Sequence, residues 1–220
     1  MIQSPPSHTA MFERMKTVPL VPVIRASSPG LALALARALH EGGLMCLEIT
    51  LTVPQATQVI AQLRAELGNT AIVGAGTVTS RAEALDCLAA GAQFLVSPGL
   101  VAGLVEVAHA AHAVAVQGAL SPTEVIRARA DGADVVKIFP CSALGGPSYL
   151  RALAAPFPHV AFMPSGGVQL DNVTAYFQAG ASLLGLGGAL ADERMLTQKG
   201  SDPLRELARK HVTLVRKPTN

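Results

Sequence analysis

Lys137 stands in the run Asp134-Val-Val-Lys-Ile-Phe-Pro140, and between positions 17 and 198 it is the only lysine. The others, Lys16, Lys199, Lys210 and Lys217, lie near the two ends of the chain. Ala133 to Phe139 is rich in β-branched and aromatic residues, opened by Asp131-Gly132 and closed by Pro140, which is how a buried strand is punctuated. An ammonium is costly to bury without a partner. A lysine in such a run either snorkels past the strand end to solvent or has chemistry to do. Its amine can attack a ketone to give a carbinolamine and then a protonated imine. The imine withdraws electrons from the neighbouring carbon and lets a carbon–carbon bond break. That chemistry needs a group that moves protons, and Glu48 in Cys46-Leu-Glu-Ile-Thr50 is of the right type. Two glycine-rich stretches, Ser165-Gly166-Gly167 and Gly185-Leu-Gly187-Gly188, add a means of binding an anion through backbone N–H groups. Their plainer explanation is tight turns.

These residues must be held by the elements around them. After a short lead-in helix over His8 to Lys16, apolar strand-like runs alternate with longer Ala-rich stretches of helical period. Strands are expected at Val21–Ile24, Cys46–Thr50, Ala71–Gly74, Phe94–Ser97, Val114–Val116, Val135–Phe139, Val160–Met163 and Leu183–Leu186. Pro22 weakens the first, because proline removes a ladder donor. Helices are expected at Gly30–Glu41, Pro54–Leu67, Arg81–Ala90, Val101–Ala111, Pro122–Ala130, Pro147–Ala154, Leu170–Gln178 and Pro203–Arg216. Ser28-Pro29, Ser80, Ser121-Pro122 and Asp171 supply helix-start chemistry.

Eight strand and helix pairs in strict alternation predict an α/β fold, a closed (β/α)8 TIM barrel with a short N-terminal helix, as one domain over residues 1–220. The rival, a doubly wound open sheet, announces a Gly-rich fingerprint after its first strand. Here that position reads Arg25-Ala-Ser-Ser-Pro, and Gly74-Ala-Gly76 after the third strand fits only part of the pattern.

A barrel demands that functional side chains stand where strands end, on one rim. Read in order, those positions are Arg25, Glu48 with Thr50, Thr77, Ser97, Gln117, Lys137, Ser165 and the glycines Gly185, Gly187 and Gly188. Asp134 precedes its strand's apolar core and is expected on the opposite rim or in the helix layer. Glu48 is then the only carboxylate on the catalytic rim, opposite one lysine and beside one arginine. A strand carboxylate paired with Arg25 or Lys137 for structural reasons is the alternative role for Glu48.

Composition narrows the classes. Of 220 residues, 50% are hydrophobic and 15% charged, which is apolar for a soluble chain and points to a subunit interface. The net charge is +2 and unclustered, and only two tyrosines and six phenylalanines are available for stacking, so nucleic acid is not an expected partner. Cys46, Cys87 and Cys141 are odd in number and lack CxxC spacing, which argues against a disulfide framework or a zinc site. Met1 to Ser7 has no basic or apolar region of a signal peptide. Leu31 to Leu39 is too short to span a membrane. A cytoplasmic location is expected.

At these same residues the chain resembles a known family. Cys46-Leu-Glu-Ile-Thr-Leu-Thr-Val-Pro54, Val73-Gly-Ala-Gly-Thr-Val78, Ser97-Pro98-Gly99, Val136-Lys-Ile-Phe-Pro140, Pro164-Ser-Gly-Gly-Val168 and the Gly185 to Leu190 segment are similar to 2-keto-3-deoxy-6-phosphogluconate (KDPG) aldolases. Relatives include 4-hydroxy-2-oxoglutarate and 6-phosphogalactonate aldolases. The resemblance implies a class I aldolase without metal or cofactor, commonly a homotrimer. By resemblance, Lys137 is the Schiff-base lysine, Glu48 the catalytic acid and base, and Thr77 a contact to the pyruvate carboxylate. The Ser165 to Gly167 turn is part of a phosphate site. The full set expected to meet substrate is Arg25, Thr50, Thr77, Pro98, Phe139, Ser165, Gly166, Gly167, Gly187 and Gly188.

Three positions depart from patterns in that family. Thr52 stands where one branch has an arginine for the substrate carboxylate, so Arg25 is expected to supply that charge. Gly188 stands where a serine often meets phosphate. Gln117-Gly118 replaces a usual Pro-Gly. The expected reaction is cleavage of a small phosphorylated keto-acid, KDPG, to pyruvate and glyceraldehyde 3-phosphate. The same chemistry on 4-hydroxy-2-oxoglutarate or the galactonate epimer, an isomerase working by Glu48 alone, and a non-catalytic phosphosugar-binding barrel are the competing readings. His109 and His112, three apart, are read as a solvated helix face with no carboxylate beyond Glu106 beside them. Cys141 lacks the neighbouring histidine that a thiol nucleophile needs.

Overall fold

The computed structural model describes residues 7–216, so the reading of Met1 to Ser7 falls almost wholly outside the described residues. Helix α1 (His8–Lys16) leads into β1 (Leu20–Ile24), α2 (Pro29–Glu41), β2 (Cys46–Thr50), α3 (Ala56–Leu67), β3 (Ile72–Gly76), α4 (Arg81–Ala89) and β4 (Phe94–Val96). Then follow α5 (Leu104–Ala110), β5 (Val114–Ala119), α6 (Pro122–Ala130), β6 (Val135–Ile138), a 3-10 turn (Cys141–Leu144), α7 (Pro147–Ala154) and β7 (Phe162–Pro164). The chain ends in α8 (Val173–Gln178), β8 (Leu184–Leu186), α9 (Glu193–Lys199) and α10 (Asp202–Arg216).

The strands pair in parallel in the order β7-β6-β5-β4-β3-β2-β1-β8. Bridges Phe162 to Ala181 and Ser165 to Gly185 bring β7 against β8 and close the ring. This is the (β/α)8 barrel, with its N-terminal helix. Pro22 is accommodated in β1, opposite Leu186. The serines expected to start helices do so: Ser28, Ser80 and Ser121 accept N–H bonds from Leu31, Glu83 and Glu124, and the last two form full capping boxes. Asp171 does not cap. The residue before α8 is Asn172, whose Oδ1 instead accepts from Gln169 N–H. The helix over Leu170–Gln178 is correspondingly shorter.

Alternation along each strand sorts side chains into two compartments. Leu20, Ile24, Leu47, Ile49, Val73 and Ala75 face the helices. Val21, Cys46, Ile72, Phe94, Val96, Val114, Val116, Val135, Met163 and Leu183 fill the barrel interior, where Met11 and Met15 of α1 join them. Helix α1 is thus a plug over the N-terminal end of the barrel, and each buried methionine contributes about 2 kcal/mol of apolar burial. No helix among the described residues is long and apolar enough to cross a membrane.

Candidate active site

Interior-facing positions nearer the strands' C-terminal ends carry the polar groups. Buried at such positions among the described residues are Glu48, Thr50, Ser97, Lys137 and Ser165, and Glu48 is the only carboxylate among them. Glu48 pairs with Gly74 on β3, and Lys137 pairs with Gly118 on β5 and Met163 on β7. The two side chains therefore enter one interior from opposite parts of the wall. Lys137 is 4% exposed, and its Nζ lies 5.1 Å from the Phe139 ring centroid.

Among the described residues, neither oxygen of Glu48 has a hydrogen-bond partner. Burial pushes its carboxyl above the usual carboxylate range, and the positive charges of Lys137 and Arg25 oppose that shift without cancelling it. A fully buried, unpartnered carboxyl is expensive in a fold. Packing alone gives no reason to keep such a group. Among the described residues no cation forms a salt bridge with it, although Lys137 and Arg25 both act on its charge.

The Gly74-Ala-Gly76 fragment has a steric explanation. A Cβ on Gly76 would overlap the Glu48 carboxyl, and one on Gly74 would overlap the Phe94 ring. These glycines make room inside the barrel for a long acid and an aromatic ring. A Gly76→Ala variant is expected to displace the Glu48 carboxyl and lower kcat by about 100-fold. The fold should lose only about 1–3 kcal/mol. Steady-state kinetics beside thermal melting separates the two effects.

Not every rim position delivers a free side chain. Thr50 is wholly buried, donating its hydroxyl to Ile24 O at 3.0 Å and sharing a 2.7 Å bond with Thr52, so it ties β1 to β2. Ser97 donates to Gly99 O and accepts from Gly118 N–H. It thereby holds the Pro98 loop against Gly118, where any Cβ would collide with Pro98 and Gly99. Gln117 is a correction. β5 runs on to Ala119, so the residue falls on the outward parity and donates to Asp131 at 3.1 Å in the helix layer. Thr77, just past β3, has φ +60°, an outlier for a β-branched residue and a conformation held at functional sites.

Arg25, Phe139, Ser165, Gly166, Gly167, Gly187 and Gly188 line one cavity of about 270 Å3. Arg25 was expected to serve the substrate carboxylate, yet its guanidinium lies beside Gly187 among the glycine loops. Gly166 and Gly167 both have positive φ, +85° and +78°, which glycine adopts without strain. Among the described residues no acceptor takes the N–H groups of Gly166, Gly167, Gly188 or Ala189. Gly185 leaves space for Ser165, whose Oγ a Cβ there would crowd. The sequence reading missed Glu193 of α9. It accepts Ser27 N–H at 2.8 Å and Ser27 Oγ–H at 2.5 Å and so clips the Arg25 loop to the start of α9.

The reading of His109 as solvated is overturned. Its Nε2 meets Asp134 Oδ2 at 2.9 Å, and its ring stacks on His8. Asp134 lies at the opposite, α1-covered end as expected, and the carboxylate that sequence spacing failed to supply comes from there. Burial raises all three thiols, Cys46 and Cys87 to about 12, which leaves them poor nucleophiles.

This geometry agrees with what the chain resembles elsewhere. A family model described as KDPG and KHG aldolase matches residues 11–207. The 2-dehydro-3-deoxy-phosphogluconate aldolase of Treponema pallidum is 40% identical over 181 residues, covering 81% of this chain and 84% of the relative. The KHG/KDPG aldolase of Escherichia coli K12 is 36% identical over 199 residues, covering 90% and 92%. Among solved structures, a KDPG aldolase from Legionella pneumophila, with pyruvate captured as a covalent carbinolamine intermediate, superposes with TM-score 0.83 at 30% identity, covering 93% of this chain and 97% of the other. The matched span takes in the whole barrel, and the chain belongs to the KDPG and KHG aldolase family, as a carbon–carbon lyase.

Proposed function

We propose that this aldolase works through a Schiff base on Lys137, with Glu48 as its acid and base, and cleaves KDPG to pyruvate and glyceraldehyde 3-phosphate. The observation that carries the proposal is the buried lysine sharing the barrel interior with a carboxyl that has no other partner. The amine of Lys137 adds to the C2 ketone, and Glu48 in its acid form protonates the departing carbinolamine hydroxyl to leave an iminium. The carboxylate so formed takes the C4 hydroxyl proton through a water as the C3–C4 bond breaks. The electron pair passes into the iminium, giving the enamine of pyruvate and free glyceraldehyde 3-phosphate. Protonation at C3 and hydrolysis then release pyruvate and restore the amine. A carboxyl whose protonated form persists above the ordinary range can play both parts in one cycle.

Phosphate is assigned to Arg25 and the unpaired N–H groups of the two glycine loops, with Ser165 beside them. The pyruvate carboxylate then falls to Thr77 and the backbone around it. Kinetics on KDPG and on 4-hydroxy-2-oxoglutarate, which carries no phosphate, tests this. An Arg25→Ala variant should lose about 10- to 100-fold in kcat/KM for KDPG, the worth of a charge-assisted contact. It should be little changed on the shorter acid. Equal losses on both would move Arg25 to the carboxylate. Exposed Leu85, Leu100, Ile126 and Leu144 support a homo-oligomer, read here as a trimer. Three free thiols suit a reducing compartment such as the cytoplasm.

A further inference from the structure

We propose that His8, His109 and Asp134 form a second site, a seat for a divalent transition-metal ion of the zinc class, which fastens α1 across the N-terminal end of the barrel. The three residues come from separate elements: the first turn of α1, the last turn of α5 and the entry to β6. His8 Nδ1 lies 2.9 Å from Asp134 Oδ1 and His109 Nε2 lies 2.9 Å from Asp134 Oδ2. One nitrogen from each ring and a carboxylate oxygen all lie within 4.8 Å of one another. The rings stack with centroids 4.0 Å apart and 17° between their planes, so both nitrogens address the same carboxylate from one side.

Two imidazoles and one carboxylate are a common zinc ligand set, leaving a fourth position for water. The 2.9 Å separations run to the two different oxygens of Asp134, each a few tenths of an ångström under the edge of about 3.3 Å of a tetrahedral shell, so a modest turn of the carboxylate and rings admits an ion. Without metal, a carboxylate can only accept, so each histidine donates its N–H to Asp134. An ion would replace both protons, which move to the outer ring nitrogens with no change of charge. Asp134 Oδ2 also accepts Ala115 N–H at 2.8 Å, an outer-shell bond that fixes the carboxylate's orientation. His8, His109 and Asp134 are all partly exposed, which leaves an entry path.

The test is titration of the chelator-treated chain with CoCl2, followed by displacement with ZnCl2. The expected result is one Co2+ per chain with a visible d–d absorption band, loss of the band on adding Zn2+, a higher Tm with Zn2+, and slower amide exchange in α1. His8→Ala lies on the first turn of a surface helix and should keep the barrel intact. That variant and His109→Gln should each weaken Co2+ binding by at least roughly 10- to 100-fold. Pyruvate release should be the same with and without metal, because the site lies at the end away from Lys137. A chain that gives no band, or one whose band and affinity survive both histidine variants, would overturn the site and leave the trio as a hydrogen-bonded clasp.

Discussion

A Lys137→Met variant is expected to fold, to melt at or above the temperature of the parent chain, and to lose pyruvate release by at least about 10⁴-fold, the scale on which enzymes suffer when a covalent nucleophile is removed. Methionine keeps the length and apolar stem that lie along Phe139, so packing survives while the amine is gone. Lys137 is 4% exposed and makes no ion pair among the described residues, so its removal leaves no partner unpaired and costs little stability. The substitution also takes away the larger of the two positive influences on Glu48, so its carboxyl should hold its proton to still higher pH. An isomerase working by Glu48 alone would keep most of its turnover in this variant, and a binding barrel would show none in either form.

The second large effect is expected at Glu48. Glu48→Gln keeps the shape that Gly76 accommodates and removes the titrating group, so kcat should fall by about 10²- to 10⁴-fold while the fold becomes more stable near neutral pH. The direction of the stability change follows from proton counting. The native carboxyl holds its proton to higher pH than it does in the unfolded chain. Between the two pKa values the native state therefore binds more protons, and unfolding becomes easier as pH rises through that window. The glutamine variant lacks that loss. Its melting temperature should exceed the parent's above the native carboxyl's titration and converge with it in acid, below the unfolded value. Thermal melts across pH check this, and a glutamine variant less stable than the parent at neutral pH would contradict the burial of an unpartnered acid.

The barrel was legible because its signals are local and repeated: buried β-branched runs and helical periods alternate eight times, serine caps open three of the expected helices, and the strand ends fall within one to three residues of those expected. Glu48 and Lys137 were legible because charged residues in apolar strands stand out against their neighbours. What the sequence hid depended on parity and on distance in space. Gln117 moved to the helix layer because β5 runs three residues further than its apolar core suggests, which fixes the outward side. Helix α9 escaped because none of its residues is buried, so it has no apolar stripe to detect. The partnership of His8, His109 and Asp134 spans 126 positions and has no periodicity at all. Gly74 and Gly76 were visible as glycines, but only the fold shows that they clear space for Phe94 and Glu48.

Borohydride reduction in the presence of pyruvate, followed by peptide mass mapping, bears most directly on the buried amine as nucleophile. The expected result is one reduced pyruvyl group per chain, carried on the peptide containing Lys137, with loss of activity in proportion and no label on Lys137→Met. Label on a terminal lysine such as Lys16 or Lys210, or full inactivation without label, would contradict it.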